Sequence, residues 1–343
     1  MWERSDKTFP IQWHITDKCD QRCKHCYIYA GENKLGNNDP SFENLKIVFY
    51  SYLDMCKKIN ARPSITLTGG DPLLRADIWN FLEMLHGESI EFRILGNPFH
   101  LNEEIAIKLK AMGCISYQLS LDGLKETHDF IRKPGSFDET VNKIGVLNKA
   151  GIKSAIMTTV SRTNIEEIPD LVDVIVENNV KVFGFSRYCP NENDEGLLVS
   201  PTEYREFLDK MWKKFEYYKN SKTKFILKDH LWTLFLYEKD LFKIEDNSDQ
   251  ILDGCHCGIS HITVLPNGNV YACRRCDSVV GHIPEESLYD IFFGSKMDEY
   301  RDFSRFEKCS KCELLRFCRG CPSVAKSLTG NYYAGDPQCW KII

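Results

Sequence analysis

Cysteines dominate the residues of this sequence that could do chemistry. Three of them lie near the start of the chain in a C-x3-C-x2-C run, at Cys19, Cys23 and Cys26. Three thiolates on one short loop can hold three irons of a [4Fe–4S] cluster, because soft sulfur ligands suit such clusters. No fourth cysteine follows nearby, which would leave one iron open to another molecule. A closed zinc site, the structural alternative, needs four ligands.

A second and larger group of cysteines lies toward the C-terminus. The chain has 15 cysteines, an odd number, and no secretion signal, which together argue against a disulfide framework. Thiols at short spacings are instead what a metal centre needs, because several must converge on one site. The second group comprises Cys255, Cys257, Cys273, Cys276, Cys309, Cys312, Cys318, Cys321 and Cys339. A zinc ribbon on the two C-x2-C pairs is the alternative, but it leaves Cys257, Cys273 and Cys339 unexplained.

Composition restricts the class of protein. The 343 residues suffice for one large domain and a smaller one, and 43% of them are hydrophobic, enough for a substantial core. A formal net charge of -5 gives no basic surface of the kind that binds nucleic acid. No apolar run of about 18 residues is present, and the polar N-terminus lacks a signal pattern. We therefore expect a cytoplasmic protein that binds neither nucleic acid nor membrane.

Strands and helices alternate from residue 11 to about residue 190. The predicted strands are Ile11–Ile15, Ser64–Thr68, Phe92–Leu95, Ile115–Leu121, Ser154–Val160 and Val182–Phe185. The predicted helices are Phe42–Ile59, Ile78–His86, Glu103–Met112, Phe137–Ala150 and Ile168–Asn178. This alternation predicts an α/β fold with a parallel sheet and right-handed crossovers. Six units favour a partial (βα)6 barrel over a doubly wound sheet, because no Gly-rich dinucleotide fingerprint follows the first strand.

Polar residues and glycines follow the predicted strands at the points where they end. In βα folds the chemistry gathers at the carboxyl edge of the sheet, where these loops meet. A polar cofactor is therefore expected at this edge. Cys189 lies just past the sixth strand and is a candidate catalytic thiol, facing the substrate or donating hydrogen, with a buried free thiol as the alternative.

With Tyr27 directly after its third cysteine, the Cys19–Cys26 run resembles the signature of the radical S-adenosylmethionine (SAM) superfamily. The resemblance implies that a [4Fe–4S] cluster on these cysteines binds the amino and carboxylate groups of SAM at its open iron. It further implies reductive cleavage of SAM to methionine and a 5′-deoxyadenosyl radical, which takes a hydrogen atom from the substrate. The cofactor supplies this chemistry, while the protein positions it and excludes water and oxygen.

Other segments resemble the superfamily in the same order. Gly69-Gly70-Asp71-Pro72 is similar to its GGEP motif, with Asp71 in place of Glu, and would meet the methionine amino group. Two glycines permit a close backbone approach, and a carboxylate can pair with an ammonium. An ordinary turn is the alternative for this segment. The resemblance assigns the methionine carboxylate to Ser120 and Arg132, the ribose to Ser161 and Asn164, and the adenine to Tyr27.

The C-terminal cysteines resemble the SPASM domain, and the Leu265–Tyr271 hairpin with its Asn-Gly turn matches it as well. That domain typically holds two auxiliary [4Fe–4S] clusters, which implies three clusters in all. The family pattern has three residues between the last two cysteines of its four-cysteine run, whereas here Arg319 and Gly320 are two. The first auxiliary cluster would use Cys257 (or Cys255), Cys273 and Cys321, with Cys255 or Cys276 closing it, and the second would use Cys309, Cys312, Cys318 and Cys339.

The predicted domains follow from the two resemblances. Residues 1–200 would form the radical SAM partial barrel, residues 201–250 a bridging helical segment and residues 251–343 the SPASM-like domain. SPASM enzymes mostly modify peptides or proteins, by crosslinking or by oxidising a side chain during ribosomal peptide maturation. A flavodoxin- or ferredoxin-type electron donor is expected. A leader-binding domain is not recognised before Cys19, so we expect either a separate leader-peptide-binding protein or recognition built into the barrel and the SPASM domain.

Three alternatives remain for the activity. The sulfatase-maturating branch has an aspartate base directly after the cysteine aligned with Cys273, where this chain has Arg274. Arg274 with Arg275 could instead hold a substrate carboxylate or phosphate, which makes Arg274 a candidate catalytic residue, with a solvent-facing pair as the alternative. A small-molecule radical SAM dehydrogenase is the second alternative. A non-enzymatic iron–sulfur protein is the third, and it is disfavoured because it would not need the Gly69–Pro72 and Ser120–Gly123 segments.

Overall fold

The computed structural model describes residues 8–26, 39–190, 196–244 and 251–343. The chain folds as two compact units, each made of three separate segments. The first unit comprises Met1–Ser120, Arg132–Ala155 and Cys257–Arg301, and the second comprises Leu121–Ile131, Ile156–His256 and Asp302–Ile343. Each unit thus combines N-terminal segments with C-terminal, cysteine-bearing ones. The domain boundaries at residues 200 and 250 stay a prediction.

Strands in the described ranges number ten. They are β1 (Thr8–Thr16), β2 (Arg62–Gly69), β3 (Phe92–Leu95), β4 (Cys114–Ser120), β5 (Lys153–Val160), β6 (Val182–Arg187), β7 (Lys224–Ile226), β8 (Ile262–Val264), β9 (Asn269–Tyr271) and β10 (Val279–His282). The α-helices are α1 (Phe42–Lys58), α2 (Ile78–Gly87), α3 (Glu103–Ala111), α4 (Lys125–Ile131), α5 (Ser136–Lys149), α6 (Ile168–Glu177), α7 (Pro201–Tyr217), α8 (Leu231–Glu238), α9 (Leu288–Phe293), α10 (Ser295–Asp298) and α11 (Pro322–Thr329). Short 3-10 helices cover Pro72–Leu74, Glu299–Arg301, Phe303–Arg305 and Cys309–Lys311.

The sheet of the first unit has the strand order β10-β9-β8-β1-β2-β3-β4. Strands β8, β1, β2, β3 and β4 run parallel, and β8–β10 form antiparallel pairs. Trp13 of β1 lies opposite Leu67 on one side and Val264 on the other, and its ring packs edge-on against Phe81 of α2 at 5.0 Å. Successive side chains of a strand alternate between faces, so His14 points away from this helix-covered face.

An aromatic core supports the second unit. Phe183 of β6 pairs with Phe225 of β7 in a parallel register. Phe215 of α7 stacks on Phe225 with ring centres 4.4 Å apart, and Trp232 of α8 lies 5.9 Å from Phe215. Aromatic rings bury large areas, so the packing of α7 and α8 on β6 and β7 stabilises this unit.

The predicted alternation is confirmed. All six predicted strands and all five predicted helices are present. Most of their ends lie one or two residues from the predicted position. The α/β class, the mostly parallel sheet and the C-terminal iron–sulfur extension are likewise confirmed. Helices α4, α9, α10 and α11 and strands β7 and β10 add to the predicted set, and β8 and β9 form the predicted hairpin. None of the helices in the described ranges is long and apolar enough to cross a membrane.

Candidate functional site

The loop after β1 carries the first cysteine group. Cys19, Cys23 and Cys26 are each half-buried, and the Cys26 amide donates to the Cys23 carbonyl at 3.0 Å, which closes a turn between them. The Gln21 amide donates to Cys19 Sγ at 3.4 Å. Amide hydrogens aimed at sulfur stabilise thiolate charge, which is the form that binds iron. This loop therefore presents three thiols with the chemistry that a cluster needs.

Two side chains from distant parts of the first unit also reach these sulfurs. Asn97, which follows β3, places Nδ2 3.3 Å from Cys19 Sγ. Arg132, which follows α4, places Nη1 3.7 Å from Cys23 Sγ. Donors of this kind orient metal ligands and tune their charge. Arg132 thus lies at the first cysteine group, and its predicted contact with the SAM carboxylate stays a prediction.

Gly69 and Gly70 lie against the backbone of the same loop. The Gly70 amide donates to the Thr16 carbonyl at 3.0 Å. A Cβ added at Gly69 would lie 2.0 Å from the Thr16 oxygen, and one added at Gly70 would lie 2.0 Å from the Lys18 oxygen. Gly69 also has φ +140, which favours glycine. Both positions therefore require glycine, for the close approach that the sequence predicts.

Asp71 follows the two glycines and has an unusual carboxyl group. Its side chain is fully buried, Oδ1 accepts from the Leu73 amide at 3.2 Å, and Oδ2 has no hydrogen-bond partner among the described residues. Burial raises the pKa of Asp71 to about 6. Pro72 follows as the buried first residue of the 3-10 helix. A buried carboxyl oxygen without a partner costs about 1–3 kcal/mol, so it favours binding of a donor.

The surroundings of Asp71 fit the ammonium group of SAM. Ligand atoms of Asp20, Asp71 and His100 lie within 4.8 Å of one another. Two carboxyl groups so close together repel when both are ionised, and a cation relieves that repulsion. The residues present thus fit both a cluster on the cysteine loop and a SAM ammonium beside it. When bound, that pair supplies reductive SAM cleavage and hydrogen-atom abstraction, while this chain orients the methionine end.

The remaining predicted SAM contacts are less well defined. Ser120 is half-buried at the end of β4 in the first unit. In the second unit, Asn164 Oδ1 accepts from the Ser161 amide at 2.8 Å, and Nδ2 donates to the carbonyls of Asp122 and Thr159. These bonds give Asn164 a structural role in the loop after β5, so its ribose contact stays a prediction. Tyr27 lies outside the described residues.

Within the first unit, Cys273 and Cys276 lie on one tight turn after β9. Ser278 Oγ closes the turn, since it accepts from the Cys273 amide at 2.9 Å and donates to the Cys273 carbonyl at 2.8 Å. Both thiols are half-buried, and Cys257 is buried. The structure therefore places three predicted ligands of the first auxiliary cluster in this unit, whereas Cys255 and Cys321 belong to the second.

Arg274 projects from the same turn toward β1. Its Nε donates to His14 Nε2 at 3.0 Å. Because arginine can only donate, Nε2 accepts and the ring hydrogen of neutral His14 sits on Nδ1. Burial, and then the Arg274 charge, hold the pKa of His14 well below its usual value. His14 Nδ1 is buried and has no partner among the described residues, so the pair offers an unsatisfied donor beside a guanidinium.

The second unit contains a pocket that we name the C-terminal cysteine pocket. Its lining includes all four predicted ligands of the second auxiliary cluster: Cys309, Cys312, Cys318 and Cys339. Apolar Leu234 and Leu314 also line it. Burial raises the pKa of the Cys309 thiol to about 12 and raises that of Cys318 as well. Thiols this buried favour a bound metal centre over free thiolates, because a metal offsets the cost of their charge.

Arg319 and Gly320 explain the short spacing between Cys318 and Cys321. Gly320 has φ +57, and a Cβ added there would lie 2.4 Å from Asp336 Cβ. Arg319 is buried and donates to the carbonyls of Asp253 and Cys255. The two residues thus fix this turn against its neighbours in the second unit.

A buried charge network holds the loop that leads to Cys339. Arg187, at the end of β6, donates through Nε to Asp229 Oδ2 at 3.0 Å and through Nη2 to Asp336 Oδ2 at 2.8 Å. Asp336 Oδ2 also accepts from the Cys321 amide at 2.7 Å, and the Asp336 carbonyl accepts from the Cys339 amide at 2.9 Å. Arg187 therefore positions two predicted cluster ligands.

Cys189 lies in an apolar cluster in the second unit. It is buried with Cys321 and Val324, and its Sγ lies 3.8 Å from Ser327 Oγ. This environment is typical of a cysteine that packs as a small hydrophobic side chain. Its catalytic role stays a prediction.

Sequence reasoning missed several residues of these sites. His14 and Ser278 were not singled out, because His14 acts on a residue distant in sequence and Ser278 acts within a turn. Arg187 follows a predicted strand, but its partners Asp229 and Asp336 are distant in sequence. Asn97 left a signal, since it follows a predicted strand at the carboxyl edge.

Comparison with known proteins agrees with this arrangement. Residues 13–175 match the Radical SAM superfamily, and residues 255–313 match SPASM, an iron–sulfur cluster-binding domain. The first match contains the cysteine loop and the Gly69–Pro72 segment. The second contains Cys257, the Cys273–Cys276 turn and the start of the C-terminal cysteine run.

Relatives of two kinds match almost the whole chain. The AdoMet-dependent heme synthase of Methanosarcina barkeri is 28% identical, over 96% of this chain and 95% of the relative. The mycofactocin maturase MftC of Mycolicibacterium smegmatis is 24% identical, over 97% of this chain and 83% of the relative. The crystal structure of Streptococcus suis SuiB bound to precursor peptide SuiA has the same fold, with a TM-score of 0.76 at 20% identity, covering 98% of this chain and 76% of SuiB. This protein therefore contains a radical SAM domain and a SPASM iron–sulfur domain.

Proposed function

We propose that this protein cleaves SAM at a cluster held by Cys19, Cys23 and Cys26 and uses the reaction to oxidise a peptide or protein substrate. The product is a crosslinked peptide or one with an oxidised side chain. The proposal includes three [4Fe–4S] clusters, a flavodoxin- or ferredoxin-type electron donor and a cytoplasmic location. A separate protein that binds the leader peptide is its further partner.

The observation that carries SAM cleavage is the Asp71 carboxyl group. It is fully buried beside the cysteine loop, and one oxygen has no partner among the described residues. The Asp71 amide donates to the Lys18 carbonyl at 2.7 Å, which ties this carboxyl group to the loop that carries Cys19. An ammonium ion that binds here would lie next to the cluster ligands, which supports the role of this segment in SAM binding.

The C-terminal cysteines support net oxidation of the substrate. Forming a crosslink breaks two bonds to hydrogen and forms one new bond, so the substrate loses two electrons and two protons. The 5′-deoxyadenosyl radical formed from SAM takes one hydrogen atom and becomes 5′-deoxyadenosine. The second electron needs an acceptor, and the second proton goes to solvent. A cluster in the C-terminal cysteine pocket would be such an acceptor, since clusters carry single electrons.

Support for a peptide substrate comes from two relatives. MftC is a maturase, and SuiB has been crystallised with a precursor peptide. Both match this chain over nearly its full length. We therefore place peptide oxidation first.

A second candidate is a small molecule that carries carboxylates, such as a tetrapyrrole. One relative is named a heme synthase, and heme is a tetrapyrrole. The observation that favours it is the Arg274–His14 pair, in which a guanidinium lies beside a buried imidazole N–H without a partner among the described residues. Arg274 stands where the sulfatase-maturating branch has an acid, and its donors suit an acceptor oxygen of the substrate.

Anaerobic turnover distinguishes the two candidates. The reconstituted protein is given SAM and dithionite, with either a candidate precursor peptide or iron coproporphyrin III, and products are read by mass spectrometry. We expect 5′-deoxyadenosine to form together with a peptide that has lost two hydrogens. Loss of carbon dioxide from the porphyrin, with an unchanged peptide, would establish the second candidate and overturn the first. The matched control is the protein with Cys19, Cys23 and Cys26 changed to Ala.

A further inference from the structure

Charged side chains line the C-terminal cysteine pocket together with the thiols. Lys308, Lys341 and Asp336 all contribute to it. A cluster held by four thiolates is an anion, and accepting an electron makes it more negative. Net charge near a cluster is one determinant of its reduction potential. A nearby cation therefore raises the potential, and a nearby anion lowers it.

Two of these three charges lie in ion pairs. Lys341 Nζ lies 2.9 Å from Glu313 Oε1, and that pair is neutral. Asp336 faces the Arg187 guanidinium, with Nη2 2.8 Å from Oδ2. Arg187 is shared with Asp229, so this buried group of three keeps one negative charge near the pocket.

Lys308 differs from these two, because it has no acidic partner among the described residues. Its Nζ donates to the Cys339 carbonyl at 3.1 Å. Its stem packs against Gly335, where an added Cβ would lie 3.0 Å from Lys308 Cδ. The ammonium group is therefore held at the Cys339 backbone, in the lining of the pocket, with no acid paired to it among the described residues.

We propose that Lys308 raises the reduction potential of a cluster in the C-terminal cysteine pocket and so makes that cluster the acceptor of the substrate's second electron. The inference deepens the proposed function and rests on it for the presence of the cluster. The substrate loses one electron in this step and the cluster gains it. A flavodoxin- or ferredoxin-type carrier then removes the electron and regenerates the oxidised cluster.

The test is a redox titration of the reconstituted protein, followed by electron paramagnetic resonance without SAM or substrate. The signal of the pocket is identified by its loss in Cys312→Ala. We expect Lys308→Met to lower the midpoint potential of that signal and Lys308→Arg to leave it near the wild-type value. Glu313→Gln should raise it, because it releases the charge of Lys341. Lys311→Met is the matched control, since Lys311 is exposed and lies outside the pocket lining.

Equal midpoint potentials in Lys308→Met and the wild type would overturn the proposal. A shift in Lys311→Met as large as that in Lys308→Met would also overturn it, because the effect would then not come from the pocket. If Lys308→Met takes up no iron, Lys308→Gln and Glu313→Gln provide the same comparison. Zinc in the pocket, or a Cys312→Ala spectrum that has lost no signal, would show that the pocket holds no iron–sulfur cluster and would overturn the proposal. Peptide oxidation by the wild type, measured separately, tells whether the proposed function survives such a result.

Discussion

Replacing Gly70 with alanine should disable SAM cleavage while leaving most of the fold intact. The added Cβ would lie 2.0 Å from the Lys18 oxygen and 2.8 Å from Cys19 Cβ. The first is a backbone atom of the cysteine loop, and the second is a Cβ, whose position the backbone fixes. Neither can rotate away. The loop must move instead, and it carries the first predicted ligand of the SAM-binding cluster.

The size of the effect follows from these distances. An ordinary non-bonded contact of carbon is about 3.5 Å, so the loop must shift by about 1.5 Å. Overpacking of this kind costs about 1–3 kcal/mol of stability, which a domain of this size can survive. A misplacement of about 1 Å near reacting groups can lower a rate by about 100-fold. We therefore expect Gly70→Ala to lower SAM cleavage by about 100-fold or more, through lost geometry or lost iron.

The assay measures 5′-deoxyadenosine formed from SAM and dithionite, beside iron content and circular dichroism. Gly145→Ala is the matched control. Gly145 is exposed in α5, and a Cβ added there meets nothing within 4 Å. Alanine in a helix interior should stabilise that variant by about 0.5–1 kcal/mol without changing its activity. Wild-type cleavage by a fully loaded Gly70→Ala protein would show that the Gly70 contact does not position the cysteine loop.

Three further outcomes are expected. Asp71→Asn should raise the KM for SAM, because an amide cannot form an ion pair with an ammonium group. The wild-type KM should rise as the pH falls below about 6, since Asp71 is then protonated. A KM that does not change with pH in steady-state assays would contradict this. Arg187→Met leaves two buried carboxylates unpaired and should destabilise the protein by about 3–5 kcal/mol in denaturant unfolding, whereas exposed Arg205→Met should cost no more than about 1 kcal/mol. Cys189→Ala should leave product formation per 5′-deoxyadenosine unchanged, and a fall in that ratio would assign this thiol a catalytic role.

Much of the fold was predictable because it is recorded locally. Each predicted strand is an apolar run followed by an amphipathic helical pattern, and that alternation by itself implies a parallel sheet. Strands β8 and β9 were predicted only through the Asn-Gly turn of the Leu265–Tyr271 hairpin, because each has three residues, too few to show a period. Helix α4 was missed because it has seven residues and follows β4 almost at once. The division into two units depends on contacts between distant segments, which no local pattern records.

Some residues of the candidate site could likewise be predicted from local sequence, and others could not. The cysteine spacing and the Gly69–Pro72 segment are local, so their chemistry could be read directly. The reason for Gly70 is visible only where its backbone meets Lys18. Arg187 and Asp336 are separated by 149 positions, and neither has a neighbour in sequence that indicates the other. The Arg274–His14 contact joins residues 260 positions apart and was equally hidden.

The most direct test of the account is SAM cleavage by the protein with Cys19, Cys23 and Cys26 all changed to alanine. The reconstituted wild type should form 5′-deoxyadenosine from SAM and dithionite without oxygen. The triple variant should form none, and it should lose about one third of the iron, since one cluster of three is removed. A companion variant with Cys309, Cys312 and Cys318 changed to alanine should still cleave SAM slowly, provided that circular dichroism shows it to be folded. Cleavage of SAM by the first triple variant at the wild-type rate would show that Cys19, Cys23 and Cys26 do not hold the cluster that cleaves SAM.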